Sequence, residues 1–148
     1  NNKIKLHLIG KLQTNKVKIS IKLFDYIHSV DNEKLARKIS DEQKKQNLKP
    51  KLFIQVNIGN ESQKNGIHIK KLNEFYDYCK QLNLNVVGIM CIPPIDDDPE
   101  ISFSRMNYFK KEMKLKELSM GMSSDYLDAI KYNSTFLRIG SSIFGPRN

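Results

Sequence analysis

Two stretches near the C-terminal end of the sequence combine apolar residues with small hydroxyl-bearing ones, the residue types that could hold a ligand. Residues 118–125 read Leu-Ser-Met-Gly-Met-Ser-Ser-Asp, and residues 136–145 read Phe-Leu-Arg-Ile-Gly-Ser-Ser-Ile-Phe-Gly. Ser123, Ser124 and Asp125 are N-cap residue types at the point where a helix begins. Gly140 lets a backbone approach a ligand, and Ser141 and Ser142 add hydrogen-bond donors. Turns and helix ends of this kind offer unpaired N–H groups to anions. We expect the two stretches to form a site for a small phosphorylated molecule.

The elements that would position this site are the last two strands of the chain. Each of the two stretches starts with a short apolar segment that is typical of a strand, and the hydroxyl-bearing residues follow directly after it. In a (β/α)8 barrel the loops after strands 7 and 8 are a frequent phosphate site. The placement of the two stretches is therefore the one expected of such a barrel.

The hydrophobic pattern along the whole chain predicts six strands that alternate with helices. The strand segments are 4–10, 26–30, 52–58, 86–92, 118–122 and 136–140. Alternation of strand and helix indicates a parallel α/β fold. Since a complete TIM barrel has eight strands, the pattern predicts either an incomplete barrel or an open six-stranded sheet.

The third predicted strand has two different faces. Leu52, Ile54 and Val56 share one face, while Gln55 and Asn57 share the other. An apolar outer face against helices and an inner face that becomes polar toward the end of the strand are typical of a barrel with a site at its top. We therefore expect Asn57 to line the site.

A helix is predicted after the second strand. Asp31 is a favourable N-cap residue, and Leu35, Ala36 and Ile39 follow at the spacing of a buried helix face. We expect Asp31 to begin this helix.

Length and composition limit the class of protein. With 148 residues, 39% hydrophobic and 28% charged, the sequence predicts one soluble globular domain over residues 1–148. No apolar run approaches the length needed to span a membrane. Cys79 and Cys91 are too far apart for a CxxC motif and lie in apolar surroundings, so we expect free buried thiols and a cytoplasmic location.

The formal net charge of +9 raises the alternative of a nucleic-acid-binding module. The lysines fall on several predicted helices, however, and no arginine cluster or interleaved aromatic residues accompany them. A solvated lysine-rich surface is the favoured interpretation.

Three single residues stand out along the predicted strands. Arg138 lies within an apolar strand, where a guanidinium needs a partner, either a ligand or an acidic residue of a neighbouring strand. His7, on an inward strand face, either lines the ligand pocket or is a hydrogen-bonded core histidine, whereas His28 and His68 are interpreted as structural. No Ser/His/Asp or Cys/His arrangement is visible, so no catalytic or metal-binding residue is assigned.

Motifs along the whole chain resemble the pyridoxal phosphate homeostasis proteins, in the order and spacing of that family. They are His7–Lys16 (HLIGKLQTNK), Gln55–Asn57 with Glu61–Ile67 (ESQKNGI), Gly88–Met90 with Pro93–Pro94, Leu118–Asp125 (LSMGMSSD), and Ser134–Thr135 through Arg138–Gly140 to Ile143–Gly145. Five separate matches make the resemblance specific.

The resemblance implies a barrel like the N-terminal domain of alanine racemase that binds pyridoxal 5′-phosphate. Proteins of this family are thought to hold the cofactor and balance vitamin B6 pools, as a carrier or buffer without well-established turnover, and PLP-requiring apoenzymes are the implied partners. Carried over to this sequence, Ser119 and Ser123 would contact the phosphate together with Gly140 and Ser141, and Arg138 would face the pyridine nitrogen.

An arginine at the pyridine nitrogen would have a chemical consequence. A guanidinium donates hydrogen bonds and does not accept a proton, so the ring nitrogen would stay unprotonated. The ring is then a weaker electron sink, which suits holding the cofactor better than transamination. A true racemase-type enzyme, the alternative, would need a lysine base and a second catalytic group, and the sequence shows neither.

Departures from the family pattern lead to further expectations. The lysine that forms the Schiff base and the second-strand motif are not found before His7, so we expect the first two strands to be missing and the barrel edges to be open. We expect a complete barrel to be monomeric, and this chain either to be less stable than a complete barrel or to pair its edges with another chain. Asn133 also stands where the family usually has glycine before Ser134, which predicts a reshaped turn.

Overall fold

Parallel strands form the centre of the molecule in the computed structural model, which describes residues 4–62 and 64–146. Gln63, which belongs to one of the sequence motifs, lies outside the described residues, as do residues 1–3 and 147–148. The strands are β1 (His7–Leu8), β2 (Tyr26–Val30), β3 (Lys51–Asn57), β4 (Ile67–His68), β5 (Val86–Cys91), β6 (Glu117–Met122) and β7 (Phe136–Arg138).

Helices connect most of these strands. They are α1 (Val17–Leu23), α2 (Glu33–Gln46), α3 (Leu72–Gln81), α4 (Pro99–Glu112), α5 (Tyr126–Lys131) and α6 (Ser141–Phe144), with 3-10 turns at Thr14–Lys16 and Ile69–Lys71. Within the described residues, no helix has the length and apolar character that crossing a membrane requires.

The strand order is β1-β2-β3-β5-β6-β7, every pair is parallel, and the short β4 pairs with the end of β3. A flat sheet would place β1 and β7 about 24 Å apart, five strand spacings. Instead the rings of His7 in β1 and Phe136 in β7 lie 5.6 Å apart. The sheet therefore curls into a half-barrel, which confirms the predicted incomplete barrel of six strands and excludes the flat alternative.

The two faces of β3 differ as predicted. Leu52, Ile54 and Val56 are buried in the hydrophobic core between the sheet and the helices. Phe53 is on the opposite face, inside the curled sheet, where its ring stacks on His28 at a centroid distance of 4.2 Å. Because consecutive side chains of a strand point to opposite faces, one sequence segment serves both the outer core and the barrel interior.

The N-cap of α2 differs from the prediction. Asn32 begins the helix, with an extended backbone and a side-chain oxygen that accepts a hydrogen bond from Leu35 N at 2.9 Å. The predicted cap at Asp31 is wrong, because the Asp31 carboxylate instead accepts a bond from Gly66 N at 3.3 Å and ties the β3–β4 loop to the end of β2.

Asn133, which stands where the family usually has glycine, lies in the turn before β7. This residue has a φ of 63°, in the left-handed region that glycine adopts without strain and asparagine tolerates. Asn133 N donates to Ile130 O at 3.0 Å and Ser134 N donates to Ala129 O at 3.1 Å. The turn thus has the left-handed conformation at asparagine, a residue type that tolerates it, and its predicted difference from the family's glycine turn stays a prediction.

Candidate functional site

A cavity of about 920 Å³ opens at the carboxyl ends of β6 and β7. Four of the predicted site residues line it together, namely Ser123, Arg138, Gly140 and Ser141. Cavities that bind small molecules have volumes of roughly 300–1,000 Å³. The two turns singled out in the sequence therefore form one concave surface of a suitable size.

Ser123 joins the two turns. Its Oγ accepts hydrogen bonds from Gly140 N at 3.1 Å and from Ser142 N at 3.2 Å. These two bonds use the lone pairs of the oxygen, so the single hydroxyl hydrogen remains as a donor. The turn after β6 therefore holds the turn after β7 and keeps one O–H group for a ligand.

Asp125 stands at the N-cap position of α5, as the sequence suggested, but its side chain does not cap the helix. The carboxylate accepts a hydrogen bond from Met122 N at 2.6 Å and makes no bond to the first turn of the helix. This bond closes the turn that carries Ser123 and Ser124. The acidic residue thus shapes the rim of the cavity.

Arg138 lies at the junction of the cavity and the barrel interior. Its guanidinium donates from Nη1 to Ser119 Oγ at 2.9 Å and from Nη2 to Cys91 O at 2.8 Å. No carboxylate forms an ion pair with it within residues 4–62 and 64–146. Burial lowers the pKa of this guanidinium, and two of its five N–H donors are bound to protein. The remaining donors are available to a ligand.

Ser119 is placed differently from the other candidates. It is fully buried, lies outside the lining of the cavity, and its Oγ is 2.9 Å from His28 Nδ1 as well as from Arg138 Nη1. Its predicted contact with a phosphate stays a prediction. In this structure its hydroxyl connects the cavity arginine to the inside of the barrel.

His7 is bonded to a second histidine. His7 Nδ1 lies 3.0 Å from His28 Nε2, and the His7 ring stacks on Tyr26 with a centroid distance of 4.2 Å. His7 is thus a hydrogen-bonded histidine of the barrel interior, and its predicted contact with a ligand stays a prediction. It does not line the cavity directly, although its neighbours Ile9 and Gly10 do.

Burial controls the protonation of the two histidines. Desolvation lowers the pKa of His28 to about 3, with further lowering by the charges of His7 and Arg138. Desolvation also lowers the pKa of His7, while the nearby carboxylate of Asp25 raises it by a smaller amount. Both rings are therefore favoured in the neutral form, in which each has one donor and one acceptor nitrogen.

Asn57 is separate from the other candidates. Its side-chain nitrogen donates to Glu61 O at 2.7 Å, and its side-chain oxygen accepts from Glu61 N at 3.1 Å. It lines a smaller cavity of about 240 Å³ with Gln55 and Lys64, next to Ile92. Ile92 also lines the large cavity, so Asn57 lies near the mouth of the barrel without lining that cavity, and its predicted place in the site stays a prediction.

An aromatic layer inside the barrel was not identified from the sequence as part of the site. Tyr26, His28 and Phe136 surround His7, and Phe53 packs against these three rings, with ring centroids 4.2–6.5 Å apart. Alternation along β2 would have placed Tyr26 and His28 on one face. The contact with Phe136 comes from the curl of the sheet and has no local signal.

The cysteines are not chemical groups of this site. Cys79 and Cys91 are free and buried, and burial raises the pKa of each thiol to about 12. Among the described residues, no group of three His, Cys, Asp or Glu side chains could hold a metal ion.

The family model for the alanine racemase N-terminal domain matches residues 2–148. Two curated relatives are pyridoxal phosphate homeostasis proteins. The one from Aquifex aeolicus is 38% identical in an alignment 151 residues long that covers 95% of this chain and 66% of the relative. The one from Vibrio alginolyticus is 37% identical in an alignment 161 residues long that covers all of this chain and 67% of the relative. The chain thus spans about two thirds of their length.

Solved structures show the same fold. PipY of Synechococcus elongatus without PLP superimposes with a TM-score of 0.90 at 32% identity, over 98% of this chain and 73% of PipY. The PLP-bound form of PipY gives a TM-score of 0.87 at 32% identity, over 96% and 71%. An alanine racemase of Clostridium difficile, at 18% identity and a TM-score of 0.72 over 99% of this chain and 41% of that one, shares the fold.

Proposed function

This chain belongs to the alanine racemase N-terminal domain family and, within it, to the pyridoxal phosphate homeostasis proteins, and on that premise we propose that it binds pyridoxal 5′-phosphate and takes part in vitamin B6 homeostasis. It acts in this proposal as a carrier or buffer of the cofactor. The similarity to PipY, which has a PLP-bound structure, supports the choice of ligand.

One observation of this structure carries the proposal. The cavity brings a mostly buried arginine with spare donors together with serine hydroxyls and a glycine turn. That set of groups fits a small molecule with a phosphate and a ring acceptor, because all the groups offer hydrogen-bond donors and none is negatively charged.

We assign the phosphate to the Ser123 and Ser141 hydroxyls beside the turn at Gly140, whose own N–H is donated to Ser123 Oγ, and the ring acceptor to Arg138. The Ser123 hydroxyl hydrogen is not needed by the bonds that join the turns, and the Ser141 hydroxyl has no hydrogen-bond partner among residues 4–62 and 64–146. Bound pyridoxal phosphate supplies a reactive aldehyde, whereas the groups of this chain bind and orient it. Ser119 contributes through its bond to Arg138.

The test is a comparison of ligands and variants by isothermal titration calorimetry. We expect Ser123→Ala to weaken the binding of pyridoxal phosphate about tenfold, the loss of one hydrogen bond to a charged group, and to leave the weak binding of pyridoxal unchanged. The matched control is Ser104→Ala, because Ser104 is exposed on α4. Equal affinities of the two variants, or of the two ligands, would contradict the proposal.

A second experiment examines the covalent anchor. In the part of the chain that the structure describes, no lysine lines the cavity. After incubation with pyridoxal phosphate and reduction with borohydride, we expect peptide mass spectrometry to find only traces scattered over surface lysines. One stoichiometrically modified lysine would show that this chain carries its own anchoring site.

Activity assays test the racemase alternative and the proposed partners. Added L-alanine should not be racemised by the loaded chain, since catalysis of that kind requires a lysine base. We further propose that apoenzymes that require PLP accept the cofactor, and that the protein is cytoplasmic, in keeping with its two free thiols. Faster reactivation of an apoenzyme by the loaded chain than by free cofactor would support the carrier role.

A further inference from the structure

A continuous chain of hydrogen bonds runs from the cavity through the barrel. It passes from Arg138 to Ser119 at 2.9 Å, from Ser119 to His28 at 2.9 Å and from His28 to His7 at 3.0 Å. Its members come from four strands, β7, β6, β2 and β1. Arg138 faces the cavity, and His7 is the partly exposed end.

Arginine fixes the direction of this chain. A guanidinium only donates, so Ser119 Oγ accepts from Arg138 and can give its one hydrogen to His28 Nδ1. His28, neutral because it is buried, then has its hydrogen on Nε2 and donates it to His7 Nδ1. In this direction each of the three hydrogen bonds joins one donor to one acceptor, and the hydrogen of His7 lies on Nε2, at the partly exposed end.

The opposite direction leaves a hydrogen without a partner. If His28 carried its hydrogen on Nδ1, Ser119 would accept from both Arg138 and His28. Its own hydroxyl hydrogen would then have no acceptor among the described residues, and Ser119 is completely buried. An unsatisfied buried donor is costly. The structure therefore favours one tautomer of each histidine.

We propose that Ser119 and His28 are positioning residues for Arg138, and that protonation of His7 weakens ligand binding in the cavity. A protonated His7 donates to His28 instead of accepting from it, so it is incompatible with the direction of the hydrogen-bond chain. The proton comes from solvent and occupies His7 Nδ1, the one ring nitrogen of His7 that carries no hydrogen and that otherwise accepts from His28. His28 must then move its own hydrogen from Nε2 to Nδ1, and Ser119 must break a bond or leave its hydrogen unpaired. The ligand side of this inference rests on the proposed function.

Other charges around the two histidines are few within the described residues. Asp25 favours a proton on His7 and is paired with Lys5 at 3.1 Å. Lys51 donates to the Tyr26 hydroxyl at 3.0 Å, beyond the ring on which His7 stacks. Arg138 opposes a proton on His28.

Nitrogen NMR of the ligand-free chain tests the direction without any ligand. The chain has three histidines, so each ring can be assigned by long-range ¹H–¹⁵N correlation. We expect His28 to have its hydrogen on Nε2 and an unprotonated Nδ1 at neutral pH. A hydrogen on Nδ1 of His28 would overturn the proposal.

The coupling is tested by a pair of serine variants. In Ser119→Ala there is no hydroxyl hydrogen that could be left without an acceptor when His7 is protonated, so we expect the pKa of His7 to rise. The matched control is Ser29→Ala, because Ser29 is equally buried on β2 and its hydroxyl has no partner among the described residues. The same His7 pKa in both variants would overturn the coupling.

The pH dependence of ligand affinity provides the last test. His7→Gln keeps an acceptor for His28 but does not take up a proton. Between mildly alkaline and mildly acid pH, we expect the dissociation constant of pyridoxal phosphate to increase about two- to tenfold more for the unmodified chain than for His7→Gln. Identical pH profiles of the two proteins would overturn the coupling between His7 and ligand binding. Failure of both proteins to bind at any pH would reject the proposed function, and the NMR result would then decide the direction of the hydrogen bonds.

Discussion

At the scale of single residues, the site depends on groups that are bound on one side and free on the other. Ser123 uses its lone pairs to join two turns and keeps its hydrogen. Arg138 uses two donors within the protein and keeps the others. Such residues are held in fixed positions before a ligand arrives, which lowers the entropy that binding costs.

His28 should make the free energy of unfolding of the chain depend on pH. Its pKa is lowered to about 3 in the folded chain, mainly by desolvation, whereas the unfolded chain takes up the proton near the ordinary value of about 6.5. Between these values the unfolded state binds more protons, so the free energy of unfolding falls as pH falls, by up to about 1.4 kcal/mol per pH unit. Urea denaturation at a series of pH values measures this slope.

Two variants identify the origin of that slope. His28→Phe keeps a ring to stack on Phe53 but does not titrate, so most of the slope should disappear even though the neutral protein is less stable. His68→Gln changes an exposed histidine and should keep it. An unchanged slope in His28→Phe would show that other groups cause the acid sensitivity.

At the scale of elements, the strands must approach one another closely where the inner layer is aromatic. Gly88 of β5 lies beside Glu117 of β6 and the ring of Phe53 in β3. A Cβ at Gly88 would lie 2.7 Å from the Glu117 carbonyl carbon and 2.8 Å from Phe53 Cε1. The absence of a side chain thus makes room for the ring on which His28 stacks.

Gly88→Ala should therefore destabilise the sheet. Because one obstacle is the backbone of the neighbouring strand, we expect a loss of about 1–3 kcal/mol or more in the free energy of unfolding, measured by urea denaturation. The control Gly10→Ala, where a Cβ meets nothing within 4 Å, should change it by less than about 0.5 kcal/mol. Equal stabilities of the two variants would contradict this explanation.

At the scale of the whole molecule, the half-barrel leaves apolar surface beside its edges. The edge strands in the described part of the chain are β1 and β7. Ile4 lies three residues before His7, the first residue of β1, and is 86% exposed. Phe144, soon after β7, is 85% exposed. Unpaired strand edges with apolar neighbours favour association with another chain.

We expect this chain to self-associate as its concentration rises, and sedimentation equilibrium would measure the effect. Replacing Ile143 and Phe144 by serine should weaken the association by at least several-fold, since it removes apolar area beside β7. Ile95→Ser is the control, because Ile95 is 93% exposed but lies in the loop after β5. A monomer at all concentrations, or equal effects of the two changes, would contradict edge pairing.

The sequence by itself determined the strand order along the chain, the parallel α/β class and the two hydroxyl-bearing turns, because period-two alternation and turn residues are local signals. It also identified Arg138 as a residue in need of a partner. The cap of α2 was missed by one residue, since Asp31 and Asn32 are both good caps and only the contact with Gly66 separates them. Only the tertiary structure decided that Ser119 and the two interior histidines form one chain with Arg138. Those residues come from four strands, and the curl of the sheet, which depends on the packing of the whole barrel, brings their side chains together.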